Sequence, residues 1–303
     1  VRLTHGEEVP TFQSPESMTE FLRAPSLRIV EFRHFCFTSS LCLAIAMAFR
    51  QGSSITSLFL DECSFPEGGI ERIASALEEN TTLTTFDIRP NADGIHQEFY
   101  DAMAASLLSN STLQELSIRY PGATDPTSVC VSSLLLALGM NKTLRKLYVS
   151  GFSSVGGSVI AALREGLGNN STLEVLELMD GNLDAEPSFH IAVVEALQLN
   201  KTLKILRICY GTQNLTDDEA KHLTSIVKTN YRLESLPELD SSDDRTKDLR
   251  SILRLNETGR GYLPDGHGSV VSKGVSVLSA VSDDLNCVFL HLLENPSLCN
   301  RSH

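Results

Sequence analysis

A short pattern of polar and hydrophobic positions recurs along most of this chain. It reads Asn, any residue, Thr, Leu, two variable residues, an apolar residue, a variable residue and a second apolar residue. Five copies follow it closely and begin at Asn80, Asn110, Asn141, Asn170 and Asn200. Three looser copies begin at Pro25, Gly52 and Asn230. Eight copies in phase indicate a chain built from one repeated structural unit.

The first apolar residue of each copy fixes the length of the unit. These anchor residues are Leu27, Ile55, Leu83, Leu113, Leu144, Leu173, Leu203 and Leu233. Successive anchors lie 28 to 31 residues apart. Each anchor leads into a period-two alternation, such as Leu116 and Ile118 after Leu113. This alternation predicts a short strand with one buried face.

Between the anchors, the apolar residues follow a helical period. Ile70, Ile73 and Leu77 fall on one face of a helix, and each later repeat has an equivalent set. The later sets are Phe99, Met103 and Leu107; Leu134, Leu135 and Leu138; Ile160, Leu163 and Leu167; Ile191, Val194 and Leu197; and Leu223, Ile226 and Val227. Because one strand and one helix alternate throughout, we expect parallel strands with all helices on one side of the sheet.

A glycine or an asparagine stands three residues before seven of the eight anchors. These residues are Gly52, Asn80, Asn110, Asn141, Asn170, Asn200 and Asn230. Both residue types enter the left-handed backbone region at low cost, so we interpret them as the C′ residues that end each helix. Five of the asparagines also begin an Asn-x-Ser/Thr sequence, the acceptor for N-glycosylation. We favour the helix-end interpretation because these five share one phase of the repeat.

These residues resemble leucine-rich repeats of the ribonuclease-inhibitor subtype over roughly Leu22–Leu239. The resemblance implies an α/β solenoid in the shape of a horseshoe. Its parallel strands would form the concave face and its helices the convex face, since helices take more width than strands. After the strand, where the family usually has Asn or Cys, only Cys63 and Asn91 fit. We therefore expect the internal polar ladder of the family to be mostly absent.

The ends of the chain differ from the repeats. We divide the chain into an N-terminal lead-in or cap over 1–24, the repeat solenoid over 25–240 and a C-terminal helical cap over 241–303. The lead-in contains a short predicted helix, Glu16–Leu22. The C-terminal part contains three, over Asp243–Leu255, Val270–Val281 and Asp283–Leu293, with Ser282 as N-cap of the last. A solenoid needs such caps because its end repeats expose apolar surface. The alternative is that 241–303 is a separate interaction module.

The charge and the cysteines narrow the range of partners and compartments. The 303 residues carry 38 acidic and 25 basic side chains, a net charge of −13, which disfavours nucleic acid and anionic membrane surfaces. The longest nearly apolar stretch, Val129–Met140, is shorter than the roughly 20 residues that span a bilayer. The seven cysteines are scattered, without a CxxC pair. They favour free thiols in an intracellular, cytoplasmic protein.

Motifs for catalysis are missing from the sequence. It contains neither a GxSxG elbow, nor a phosphate-binding GxxxxGK[ST] loop, nor an HExxH zinc motif. Gly266, His267 and Gly268 begin a GxGxxG pattern, but Val271 replaces its third glycine. We therefore expect a monomer that is not an enzyme and needs neither a cofactor nor a metal.

The concave face remains as the candidate binding surface, because alternate strand residues must point away from the core. The predicted central column is Glu31, Phe59, Asp87, Ser117, Tyr148, Glu177 and Arg207. The next column is Arg33, Asp61, Arg89, Arg119, Ser150, Met179 and Cys209, with Tyr120 and Tyr210 just beyond. Phe59 and Tyr148 suit an interface anchor, whereas neighbouring opposite charges can simply neutralise one another. The repeat edges and the C-terminal helices are competing sites.

From this surface we predict a protein–protein interaction scaffold. Its candidate contacts to a protein or peptide are Phe59, Asp61, Asp87, Arg89, Arg119, Tyr120, Tyr148, Glu177, Met179, Arg207 and Tyr210. The resemblance also leaves open a regulator of an enzyme, either ribonuclease-inhibitor-like or GTPase-activating. The mixed charges of the columns do not match the acidic face that such an inhibitor needs. A third hypothesis follows from the first residue, which is Val rather than Met. In that hypothesis the chain is the recognition part of a larger receptor or ubiquitin-ligase adaptor.

Overall fold

Strands and helices alternate along almost the whole chain. The computed structural model describes residues 2–4, 14–91, 96–119, 130–151, 157–179, 188–208, 216–236, 244–260, 270–295 and 298. In these residues a single parallel sheet holds the strands in sequence order, with one helix after each strand from β2 onward. This is the α/β repeat solenoid that the sequence predicts, and its pattern fits a leucine-rich-repeat-like chain.

Within the described residues, eight strands form the sheet. They are β1 (Arg2–Thr4), β2 (Ile29–Arg33), β3 (Ser57–Cys63), β4 (Thr85–Pro90), β5 (Glu115–Arg119), β6 (Lys146–Ser150), β7 (Val175–Met179) and β8 (Ile205–Ile208). The lead-in contributes β1, which pairs in parallel with β2 and which the hydrophobic pattern does not predict. After β8, Ser235 continues the sheet through one isolated bridge to Ile205.

The helices pack against one another in chain order. They are α1 (Pro15–Leu22), α2 (Ser39–Arg50), α3 (Gly69–Ala76), α4 (Gln97–Ser109), α5 (Ser132–Met140), α6 (Gly157–Asn169), α7 (Ser188–Leu199), α8 (Asp217–Thr229), α9 (Lys247–Glu257), α10 (Val270–Ala280) and α11 (Leu285–Glu294). Neighbouring helices from α1 to α9 are in contact, so the solenoid has one continuous helical layer.

The main hydrophobic core runs between the sheet and the helices, and a second, smaller cluster of Leu255, Val277, Val281 and Cys287 lies among the C-terminal helices. All eight anchor residues are buried, as are the inward strand residues, such as Leu116 and Ile118. The prediction fails at Ile191, which is 54% exposed. The other two residues predicted for α7, Val194 and Leu197, are buried, and Ala192 and Val193 join them in the core in place of Ile191.

The repeated asparagines do not have the predicted left-handed backbone. Asn110 and Asn141 are extended, with φ near −70°. Among the described residues other than glycine, φ is positive only at His34 and Glu62. Gly52 alone of the seven residues fits the prediction, with φ of 88°. The predicted left-handed backbone is therefore wrong for the asparagines. Their side chains form hydrogen bonds to main-chain groups instead.

Asn170 shows how each asparagine is used. Its Nδ2 donates to the carbonyl oxygens of Leu138, at 2.6 Å, and Asn141, at 3.3 Å, both in the preceding repeat. Its Oδ1 accepts from the amides of Thr172, at 2.9 Å, and Leu173, at 2.7 Å, in its own repeat. One buried side chain thus joins two repeats and pairs four main-chain groups that burial would otherwise leave unsatisfied.

These bonds form a continuous asparagine ladder from Asn80 to Asn256. Asn110, Asn141, Asn200 and Asn230 repeat all four bonds of Asn170. A polar ladder is therefore present, but it lies before each strand and not at the position after the strand to which the prediction referred. The ladder asparagines are at most 5% exposed. Their amide nitrogens already donate hydrogen bonds, which supports a structural use of these positions over glycosylation.

The C-terminal helices continue from the last repeat. After a 3-10 turn at Asp244–Thr246, α9 packs on α8, and its Asn256 donates to the carbonyls of Asn230 and Leu233. Helix α11 packs on α9. Its N-cap is Asp284, which accepts from the amides of Asn286 and Cys287. The prediction of Ser282 as N-cap is wrong because the helix begins further along the chain.

Candidate protein-interaction surface

The residues predicted for the central column of the concave face share one register of the sheet, although Ser117 is buried rather than exposed. The side chains of this column occupy one register across seven strands, in the order Glu31, Phe59, Asp87, Ser117, Tyr148, Glu177 and Arg207. The alternation of each strand produces this row. In β6, for example, Leu147 and Val149 are buried in the core while Tyr148 between them points to the open side and is half-buried.

The second column is present in two pieces. Arg33, Asp61 and Arg89 are register neighbours across β2, β3 and β4. Arg119, Ser150 and Met179 are register neighbours across β5, β6 and β7. The pairing of β4 with β5 ends at Ile88 and Ile118, before the two pieces join. The predicted Tyr120, Cys209 and Tyr210 lie outside the described residues.

Two aromatic side chains stand in the central column, each beside a carboxylate. Phe59 lies between Glu31 and Asp87, and Tyr148 lies beside Glu177. Burial, with contributions from nearby Glu115 and Glu177, raises the pKa of Tyr148. Its hydroxyl group therefore stays protonated and can donate a hydrogen bond to a ligand at neutral pH.

Ion pairs neutralise most of the charge on this face. Arg119 contacts Asp87 at 2.9 Å and Ser117 Oγ at 2.9 Å. Arg207 contacts Glu177 at 2.5 Å, and Arg33 pairs with Glu31. The remaining charges, Asp61 and Arg89, lie 3.8 Å apart. Burial raises the pKa of Asp87, although Arg119 and Ser117 favour its charged form. The concave face is thus mixed in sign rather than acidic.

A second surface lies where the strands begin, and the sequence reasoning did not find it. A groove of about 620 Å³ runs along the turns between each helix and the next strand. Its wall carries a threonine at the same position of five successive repeats, namely Thr82, Thr112, Thr143, Thr172 and Thr202. These threonines follow the ladder asparagines by two residues, so the ladder fixes the position of each turn.

The groove differs in charge from the chain as a whole. Its lining includes five cationic side chains, Lys142, Arg145, Lys201, Lys204 and Arg232, and one anionic side chain, Glu174. Glu174 contacts both Arg145, at 2.6 Å, and Lys204, at 2.7 Å, and these bonds lower its pKa. One feature of the sequence could have indicated this groove. Two copies of the repeat read Asn-Lys-Thr-Leu, so a lysine recurs at the same position of the unit in an otherwise acidic chain.

Metal ligands, membrane-spanning helices and reactive thiols would each indicate another kind of site. Within the described part of the chain, no group of three or more His, Cys, Asp or Glu side chains is arranged to hold a metal ion. None of its helices has the length and apolar character needed to cross a membrane. Cys42 and Cys63 are free thiols in the core, and burial raises their pKa to about 11 and about 12. Neither is suited to act as a nucleophile at neutral pH.

Comparison with known proteins adds little to this description. No family model matches the chain, and no curated protein matches it. Among solved structures, a similar chain is described as leiomodin-1 actin-binding site 2. The two share 18% identity with a TM-score of 0.41, over 53% of this chain and 87% of that one. Such a likeness concerns the course of the chain alone, and we carry no function over from it.

Proposed function

We propose that this protein is a non-catalytic interaction scaffold that binds a protein or peptide on its concave face. The observation that carries the proposal is the central column, in which Phe59 and Tyr148 stand half-buried in one continuous row. Aromatic anchors set among compensated charges are typical of the energetic centre of a protein interface. A repeated sheet face presents such anchors at fixed positions.

The spacing of these anchors indicates a ligand of peptide size or larger. Phe59 on β3 and Tyr148 on β6 are three strand steps apart, which is about 14 Å at the usual strand separation. A peptide or protein surface can reach both residues at once. Arg207, two strands beyond Tyr148, extends the row on the C-terminal side.

We also propose the ribonuclease-inhibitor-like subtype for these repeats. The unit length of 28 to 31 residues and the single helix per unit support this assignment. The scattered thiols support a protein that works inside the cell, and we propose that it is a monomer. The mixed charges of the concave face do not favour an inhibitor of a basic ribonuclease.

A triple variant tests the proposed site. In Phe59→Ala/Tyr148→Ala/Arg207→Ala, all three changes lie on the outward side of strands, so helix content and melting temperature should stay near those of the wild type. A control, Leu108→Ala/Met140→Ala/Arg164→Ala, removes exposed side chains from the convex helices. Affinity capture followed by mass spectrometry should recover the same partners with the wild type and the control, and lose them with the concave variant.

Other outcomes would redirect the proposal. Equal recovery with both variants would place the binding site elsewhere. Direct assays of ribonuclease inhibition and of GTP hydrolysis test the regulator alternative. An effect in either assay would show that the scaffold controls an enzyme.

A further inference from the structure

We propose that the groove along the helix-to-strand turns is a second binding site, which takes an extended acidic peptide segment. This site is distinct from the central column of the concave face and does not depend on its function. The groove concentrates positive charge on a chain whose net charge is −13. Such a local reversal of sign attracts anionic partners and orients them during association.

The positive charge of the groove exceeds what its own carboxylate can neutralise. Glu174 is shared between Arg145 and Lys204, and Glu234 beside the groove interacts with Lys204 and Arg232, so two negative charges face five positive ones. Lys142 and Lys201 occupy the same position in two repeats, and both are exposed. Lys142 Nζ donates one bond, 3.1 Å long, to the carbonyl of Gly139 at the end of α5. An ammonium group has three donors, so this bond leaves donors for a ligand.

The shape of the groove fits an extended chain better than a compact ion. Its cationic part runs from the turn before β6, which holds Lys142, to the turn beyond β8, which holds Arg232. Three strand steps separate these turns, about 14 Å, which is the reach of four to five residues of extended peptide. Threonine hydroxyl groups along the wall offer further polar contacts.

The position of the groove is held rigidly. Each turn contains a ladder asparagine whose side chain is fixed by bonds to two repeats, as described for Asn170. Lysines in successive turns are therefore mounted on a fixed scaffold. A binding surface held in this way loses little backbone entropy when a ligand binds.

A peptide is favoured over a nucleic acid as the occupant. The acidic character of the whole chain repels a long phosphate backbone, whereas a short carboxylate segment need contact the groove alone. Nucleic-acid binding is therefore the competing outcome of the test. Pairing with an acidic segment of a second copy of this chain is the other.

Charge reversal in the groove tests the proposal with a defined probe. The probe is a fluorescein-labelled ten-residue peptide of alternating glutamate and glycine, and its glutamine counterpart is the neutral reference. Lys142→Glu/Lys201→Glu changes two exposed groove residues and leaves the Glu174 contacts in place. Lys221→Glu/Lys247→Glu, on exposed positions of α8 and α9 outside the groove, changes the net charge equally.

We expect fluorescence anisotropy to show binding of the acidic peptide that weakens with added salt. The groove variant should bind it about tenfold more weakly, and the control variant close to wild type. Equal loss in both variants, or no preference over the glutamine peptide, would overturn the proposal. So would a labelled oligothymidylate that binds as tightly as the peptide and is lost in the same variant.

Two further measurements separate this site from the others. The concave triple variant should keep its affinity for the acidic peptide. If the concave triple variant loses this binding while the groove variant keeps it, the peptide binds the concave face. Sedimentation should give one mass for the wild type and the groove variant. A dimer that only the groove variant loses would show that a second copy fills the groove.

Discussion

The two ends of the strands are held by different chemistry, and the contrast is clearest between the first repeats and the central ones. Where the strands begin, the central repeats are joined by the asparagine ladder. Where the strands end, the first repeats are joined by an aromatic cluster of Phe32, Phe35, Phe37 and Phe65. The ring centroids of this cluster lie 4.9 to 5.4 Å apart.

The first repeats also bend their backbone where the strands end. His34 and Glu62 have positive φ, and the register between β3 and β4 shifts after Asp61. Cys63 donates a weak hydrogen bond from its thiol to the carbonyl of Phe32 in the neighbouring repeat. Packed rings and a bulge thus join the first repeats, whereas directional hydrogen bonds join the central ones.

This difference shows what each device requires of the sequence. A ladder bond needs an amide side chain at one position, because both its donor and its acceptor must meet fixed main-chain groups. Packed rings accept more variation in position. The ladder therefore leaves a strict sequence repeat, and the aromatic cluster does not.

The largest loss of stability is expected where the central helices approach most closely. A Cβ atom added at Gly166 would lie 1.8 Å from the carbonyl oxygen of Leu135 in α5. Because that obstacle is backbone, Gly166→Ala must move α6 away from α5 and should cost about 4 kcal/mol. Urea unfolding measures this loss. Gly157→Ala, at the open start of the same helix, is the control and should change stability little. Similar stability of both variants would mean that the two helices can separate freely.

The aromatic cluster should come next. Phe37 is 6% exposed and contacts three other rings, so Phe37→Ala removes a buried side chain and leaves a cavity. We expect a loss of about 3 kcal/mol in the free energy of unfolding. The control is Phe289→Ala, which removes a phenylalanine that is 60% exposed on α11. If the two substitutions cost the same, the cluster does not join the first repeats.

Removal of one ladder amide tests the other side of the comparison. Asn170→Ala leaves two carbonyl and two amide groups of the main chain without their partners, and we expect a loss of about 2 kcal/mol. Asn169 is its neighbour, is exposed, and also begins an Asn-x-Ser/Thr sequence, so Asn169→Ala is a matched control. Asn170→Asp keeps the acceptor but turns a buried carboxylate oxygen toward the carbonyls of Leu138 and Asn141, and should destabilise the protein at least as much as Asn170→Ala at neutral pH. Equal stability of the two alanine variants would show that the ladder hydrogen bonds do not stabilise the fold.

The sequence predicts the parts of this structure that depend on nearby residues. The anchors, the alternation of each strand and the central column all follow from periods of two to four residues. The role of the asparagines could not be read in this way, because each amide bonds to a carbonyl about 30 residues away. The phase of the repeat marks Asn170 as special without showing that its backbone is extended.

The groove escaped prediction for a related reason. Its lysines and arginines come from different repeats and become neighbours only when the turns stack. The bulge at Glu62 and the start of α11 at Asp284 depend on packing that a hydrophobic pattern does not record. Thus the concave column could be predicted residue by residue, whereas the groove beside it required the turns to be placed in space.

The smallest expected effect concerns the last support of the ladder. Asn256 ends the ladder in α9, and Arg260, just after α9, is 2% exposed and lies 2.7 Å from Glu294 of α11. His291 of α11 is fully buried, and burial lowers its pKa in the folded protein, with nearby Arg260 acting in the same direction. The unfolded chain therefore binds a proton on this side chain more readily than the folded one.

Stability should consequently be complete above the ordinary histidine pKa of about 6.5 and fall as the pH decreases below it. The measurement is thermal unfolding at pH 7.5 and 5.5, with hydrogen exchange of α9 and α11 to locate the loss. His291→Leu should remove the part of the pH dependence that belongs to these helices, while Asn170→Ala should leave it intact. If α9 loses protection from hydrogen exchange together with α11 at low pH, the end of the ladder at Asn256 depends on the packing of α11 against α9. If α11 alone loses protection, Asn256 keeps its ladder bonds without α11. The central repeats are then stabilised by their own hydrogen bonds.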